Sequence, residues 1–154
     1  MTTSDHDVTD DAASPSIARA RAIARGLKRV AVLGIKTEAQ RDQPSFYIAA
    51  YLAEHGVEVV PVPVYYPEVT EILGRPVIRD LARVGTVDAV IVFRRSADVL
   101  PHVDALLKLH PKCVWMQLGI RNADATQRLT AAGIDVVQDR CVMVDHRRAT
   151  ATPG

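Results

Sequence analysis

The stretch 29-RVAVLGIKTEAQRDQPSFYIAAYL-52 decides the fold. Val30 to Leu33 form an apolar, β-rich run that stops at Gly34, and an amphipathic segment begins at Pro44 and Ser45. Pro suits the first turn of a helix, where its missing N–H is no loss, and a Ser beside it presents a hydroxyl among unsatisfied backbone N–H groups. The outline is a strand, a loop and a helix whose N-terminus favours a phosphate. The spacing Gly-x-Gly-x-x-Gly is absent, however, and so is Gly-x-x-x-x-Gly-Lys-Ser/Thr. The loop is built for something other than the usual dinucleotide fingerprint.

Downstream the same alternation continues. Strand-like VEVVPV, DAVIVF, KCVWMQLGI and IDVVQD are separated by helix-like PVIRDLARVG, SADVLPHVDALLKLH and NADATQRLTAAG. Such alternation predicts a parallel sheet with crossover helices. Gly56, Gly85 and Gly133 each stand just before a strand, where a left-handed residue ends a helix at little cost. The runs AVIVF and CVWM are apolar at every position, as central strands covered on both faces require. The predicted architecture is α/β: a doubly wound, mostly parallel, Rossmann-like sheet in three layers.

With 154 residues, 48% of them hydrophobic, the chain fits one well-buried domain. Residues 1–15 carry four aspartates and little apolar surface, and read as a disordered tail. Residues 16–27 read as a helix, with Ile17, Ile23 and Leu27 as a narrow apolar stripe and Gly26 at its end. The domain proper spans 28–148, leaving 149–154 as a second tail. A net charge of +1 gives no general argument for nucleic acid or an anionic membrane, and no stretch has the length of a membrane span or the layout of a signal peptide. The chain reads as cytoplasmic. Cys113 and Cys141 show neither zinc nor redox spacing and read as reduced packing residues.

In a doubly wound sheet, ligands bind beyond the carboxyl ends of the strands. There the sequence places Lys36 and Arg41 after the first strand, Arg94 and Arg95 after DAVIVF, Arg121 after VWMQLGI and Arg140 after IDVVQD. Six cations on one edge of a nearly neutral protein point to a polyanionic ligand. The second strand ends VVPVPVYYP with no acid before Glu68, which disfavours NAD, because that cofactor uses an acid there on its ribose. Pro61, Pro63, Tyr65 and Tyr66 instead offer a stiff apolar wall for an adenine ring, or an ordinary surface loop.

Other residues read as structural. Trp115 falls inside a core strand, while Gln117 is better placed to matter. Asp139, Arg140 and Cys141 read as a polar turn with an Asp–Arg pair. His55, His102 and His110 fall on helices, and His146 reads as a polar end to the domain. No nucleophile–base pair or pair of carboxylates placed for acid and base work is visible.

The pieces VAVLGI, QPSFYIAAYLAEHGVEVVPV, VFRRSADV, VWMQLGIRN and DRCVMVDH together resemble the small bacterial CoA-binding proteins. These are single domains similar to the amino-terminal CoA-binding domain of the succinyl-CoA synthetase α subunit. The resemblance implies CoA or an acyl-CoA as ligand. It places Gly34, Ile35, Lys36, Pro44 and Ser45 at its phosphates, Val62 and Pro63 at the adenosine, and Phe93, Arg94, Arg95 and Ser96 on the opposite wall. Leu118, Gly119 and Ile120 would border the pantetheine arm. Family members often carry an arginine before the Pro-Ser pair where this chain has Gln43, and Arg41 is the expected replacement. The expected role is a carrier, sensor or partner subunit without catalysis, with a homodimer or a protein partner left open. The competing expectation is an NAD- or nucleotide-dependent enzyme whose site is completed by oligomerisation.

Overall fold

A computed structural model describes residues 15–151. The expected tail therefore lies outside the described residues, except for Pro15. The chain runs α1 (Pro15–Arg25), β1 (Arg29–Leu33), α2 (Pro44–Glu54), β2 (Glu58–Val62), β3 (Glu71–Ile72), β4 (Arg75–Pro76) and β5 (Ala89–Val92). It continues with α3 (Val103–Leu109), β6 (Cys113–Met116), α4 (Ala123–Ala131), β7 (Asp135–Val137) and α5 (Val142–Ala151).

Five strands form one parallel sheet in the order β2-β1-β5-β6-β7. Every second side chain of a strand points to the same face. Val30, Val32, Ile91 and Trp115 therefore meet Ala20 and Ala24 of α1, Phe46, Ile48 and Leu52 of α2, and Val142 of α5. Ala31, Leu33, Val90, Val92, Val114 and Met116 meet Val103 and Leu106 of α3 and Ala125 and Leu129 of α4. Because both faces are covered, neither alternate set of positions is polar. Each large aliphatic side chain so buried contributes roughly 1.5–3 kcal/mol of transfer free energy.

The order of the strands reverses at β1. The chain passes from β1 through α2 to β2 on one side, then returns to β5 on the other side of β1. The helices that follow β1 and β5, α2 and α3, therefore pack on opposite faces of the sheet, which makes this the point where an open α/β sheet has its crevice.

Three expectations need correction. The segment 76–85 is not helical: beyond β4 it holds only a single 3-10 turn, Leu81–Arg83, capped by Asp80. Its backbone is drawn to the sheet instead, with the Ile78 N–H donating to Pro61 O at 2.9 Å. It shields the edge strand β2, aided by the antiparallel hairpin β3–β4, which the sequence reading passed over. In α1 the buried stripe consists of Ala20, Ala24 and, just past the helix, Leu27, while Ile17 and Ile23 are half-buried. At the other end, α5 runs through Ala151, so residues 149–151 belong to a helix.

Candidate functional site

Gly34 is the pivot of the crevice. It has φ +85°, and its N–H donates to Val62 O at 2.9 Å. A Cβ built there would lie 2.2 Å from the carbonyl oxygen of Phe93. Only glycine allows the turn after β1 to lie directly against the chain leaving β5. The rest of the loop needs no further glycine, because side chains order it. Thr37 caps a 3-10 turn, Glu38–Gln40, with Gln40 completing a capping box. Glu38 accepts from the Leu73 N–H at 2.8 Å, tying the loop to the hairpin. The Lys36 N–H donates to Ser45 O at 3.2 Å, which sets the loop at the start of α2. That helix begins with Pro44 and takes no side-chain cap from Gln43.

The expected residues divide by what they expose. The side chains of Ile35 and Val62 are buried at 1% exposure, so they present main chain only, and Ser45 and Pro63 are also buried. Pro63 lines a cleft of about 380 Å³ with Leu33, Val64, Arg79, His102 and Ala105. Arg79 fixes this wall by donating to the carbonyls of Tyr65, Tyr66 and Val69 at 2.6–2.9 Å. Burial and the nearby charge of Arg94 lower the pKa of His102.

Half-buried Phe93 precedes Arg94, whose stem runs past Gly34: the same notional Cβ would meet Arg94 Cδ at 3.3 Å. Arg94 thus crosses the end of β1 from β5, and its guanidinium lies over the Tyr65 ring beyond β2, 5.7 Å from the centroid. Hydrogen bonding and charge from Arg94 hold the Tyr65 hydroxyl below the usual tyrosine range. Arg94 Nε is buried and has no hydrogen-bond partner among the described residues. An unsatisfied, buried N–H of this kind is costly.

The six cations are not equivalent. Arg95 pairs with Asp98 at 2.8 Å, Arg121 with Asp139 at 3.3 Å, and Arg140 with Asp145 at 2.7 Å. Asp145 is 1% exposed, so its bidentate partner Arg140 is part of the scaffold and not a ligand-seeking charge. Arg41 folds back to donate to the carbonyl of Glu38. The other two are Lys36, on the loop after β1, and Arg94, at the exit of β5. The expected pair within Asp139–Arg140 does not form. Asp139 instead accepts from the Gly119 N–H at 2.6 Å, which, with Arg121, keeps its carboxyl below the usual range.

Ser96 joins neighbouring loops: its hydroxyl accepts from the Arg121 N–H at 3.0 Å, and its carbonyl from the Asn122 amide at 2.9 Å. Along the same edge, Leu118 is 70% exposed, Gly119 has φ +86°, and Ile120 is half-buried. Gln117 proves structural, accepting the first N–H of α5 from Val142. His146 is no polar terminus. It is buried within α5 and bonded to the Tyr51 hydroxyl at 2.9 Å. Trp115 is fully buried, its Nε1 donating to Arg140 O at 2.8 Å. Sequence reading missed His102 and Arg79 as walls of the cleft, since only the fold brings them to the end of β2.

A protein from Thermus thermophilus has a similar structure, with a TM-score of 0.77 and 35% identity, over 86% of this chain and 97% of that one. A Pyrococcus horikoshii OT3 protein is similar with a TM-score of 0.75 and 28% identity, over 86% and 91%. The Bacillus subtilis protein YneT is 31% identical over 134 residues, which make up 86% of this chain and 96% of YneT. A family model described as a CoA binding domain matches residues 28–147, a span that holds the Gly34 turn, the Arg94 crossing and all five strands of the sheet, so the chain belongs to the CoA-binding domain family.

Proposed function

We propose that the protein binds CoA or an acyl-CoA across the crevice between the β1 and β5 loops, and that it acts as a carrier, sensor or partner subunit and not as a catalyst. The observation that carries the reading is the Gly34 turn, which lies directly against the chain leaving β5 and the stem of Arg94, next to the start of α2 that no side chain caps. A polyanion laid there meets backbone N–H groups and a guanidinium, and the family match names CoA as the natural candidate.

In this reading the pyrophosphate lies against the backbone of Gly34–Lys36 and the uncapped start of α2 at Pro44 and Ser45, where the helix dipole favours negative charge. Lys36 adds charge from the rim. The adenosine takes the cleft beside Pro63, whose lining is apolar apart from Arg79, Asp80 and His102. Phe93, Arg95 and Ser96 form the facing wall, and Leu118, Gly119 and Ile120 border the pantetheine.

A thermal-shift panel of CoA, acetyl-CoA, NAD, NADP and ATP tests this, since a ligand of the folded state raises Tm by mass action. CoA and acetyl-CoA should give the largest shifts. A larger shift with NAD than with CoA would favour a dinucleotide enzyme and overturn the proposal.

A further inference from the structure

We propose that the acidic segment 1–14 docks on an arginine-lined groove between α1 and α5 of its own chain, which thus supplies its own occupant for that surface. The inference is independent of the CoA reading, because none of the residues lining this groove belongs to the crevice.

α1 turns Ala20 and Ala24 into the core. Another of its faces, Ala18, Arg21, Ala22 and Arg25, follows the i, i+3, i+4, i+7 spacing of one helical stripe and meets Arg148 and Ala149 of α5 across a groove of about 320 Å³. Three arginines line this groove and, among the described residues, no carboxylate does. Asp145, which Arg21 approaches at 3.5 Å, is 1% exposed and already held by two nitrogens of Arg140, so it leaves the surface of the groove positive. The alanines between the arginines keep the floor low. A peptide backbone can therefore approach the helix and bring its carboxylates level with the guanidinium groups.

Residues 1–14 fit the groove in charge and in reach. They hold Asp5, Asp7, Asp10 and Asp11 with no lysine or arginine, and a segment so polar gains order from a charged partner and not from a core of its own. It joins α1 at Pro15, and at about 1.5 Å per residue Arg21 and Arg25 stand about 9 Å and about 15 Å further along that helix. An extended chain gains about 3.3 Å per residue, so on folding back along α1 it brings Asp10 and Asp11 level with Arg21, and Asp5 and Asp7 within reach of Arg25 and Arg148. Single exposed ion pairs are weak. Here four carboxylates meet three guanidinium groups that bind carboxylates as planar forks. The tether holds the two partners at an effective concentration on the order of millimolar, which favours the chain's own segment over that of a second copy or a free acidic protein.

The test is quenched-flow amide hydrogen exchange of the full-length protein, read by mass spectrometry on the amino-terminal peptide and corrected for the intrinsic rates of each sequence. At low salt, residues 1–14 should exchange about fivefold or more slowly than in a variant carrying Asp5→Asn, Asp7→Asn, Asp10→Asn and Asp11→Asn. The protection should vanish at 1 M salt, where screening shortens the reach of charge to about 3 Å, and also in Arg25→Glu combined with Arg148→Glu. Adding Asp5→Lys, Asp7→Lys, Asp10→Lys and Asp11→Lys to that double variant should restore it, which separates a lost contact from a disturbed fold. Exchange at intrinsic rates in wild type at low salt would overturn the proposal, as would protection that survives Arg25→Glu with Arg148→Glu or that the reversed charges fail to restore. Protection that rises with protein concentration would overturn it too, by giving the groove to the segment of a second copy.

Discussion

Gly34 shows how one residue can replace a glycine-rich fingerprint. Its positive φ and the 2.2 Å approach of a notional Cβ to Phe93 O are independent demands for glycine, while the remainder of the loop is held by Thr37, Gln40 and Glu38. Gly34→Ala should destabilise the fold by about 2 kcal/mol or more, since left-handed backbone alone costs about 1–2 kcal/mol and the clash adds to it. Urea denaturation measures this, and an unchanged midpoint would contradict the geometry. The glycine was legible because it ends an apolar run. The partner that makes it obligatory, Phe93, was not, since only strand pairing reveals that β5 lies beside β1. His146 gives a second residue-scale outcome. Burial, with the nearby His55, lowers its pKa from the ordinary 6.5. The unfolded chain then binds the proton more readily, so stability is full above the unfolded value and falls as pH drops from 6.5 toward the lower folded value. Half-buried His102 is shifted the same way. Between about pH 7.5 and about pH 5.5, Tm should fall, and His146→Gln should reduce the fall. An equally steep fall in His146→Gln would show that the loss arises elsewhere.

Among the elements, the strands and crossover helices were readable and α5 was not. The run VMVDHRRATA has β-branched residues at its start and charge in its middle, and its apolar positions are too few to announce a helix. What holds it is non-local: the Gln117 side chain caps its first N–H, and Arg140 at its entrance clamps Asp145, which Arg21 of α1 also approaches at 3.5 Å. The hairpin escaped for a related reason. Its two central residues, Leu73 and Gly74, both have positive φ, and leucine is an unusual choice there, so the Leu-Gly pair carries no strong turn signal. The helix expected across 76–85 yields because Arg79 is drawn to three loop carbonyls and Ile78 to the edge of β2. Tertiary partners outweigh local propensity in each case. Asp145→Ala should therefore cost on the order of 3 kcal/mol, because it leaves Arg140, whose side chain is 27% exposed, without its buried carboxylate. Asp98→Ala, which releases Arg95 at 87% exposure, should stay within about 1 kcal/mol. Chemical denaturation of the two variants side by side checks the contrast, and equal losses would mean that the Asp145 cluster is not what anchors α5.

For the whole molecule, the informative quantity is not the net charge of +1 but where charge is left uncompensated. The sequence placed six cations on one edge; folding neutralises Arg95, Arg121 and Arg140 with carboxylates and turns Arg41 back on its own loop. The first step was legible because a parallel sheet sends every post-strand loop to the same side. The second was not, because Asp145 and Asp98 reach their partners through turns that sequence spacing leaves undetermined. What remains of the six is Lys36, on the loop after β1, and Arg94, at the exit of β5. Attraction of CoA should thus be electrostatic and local. Screening shortens the reach of exposed charges from roughly 10 Å at 0.1 M salt to roughly 3 Å at 1 M. The dissociation constant for CoA should rise about fivefold or more over that range, the rim charge of Lys36 being lost first. Arg94→Ala should flatten the dependence, since one of the two remaining charges is then gone, whereas Arg121→Ala should leave its slope near that of wild type, because Arg121 pairs with Asp139 toward the far end of the edge. If affinity were unchanged or strengthened by salt, apolar contacts in the Pro63 cleft would be the dominant attraction, and the two remaining charges would have no part in binding.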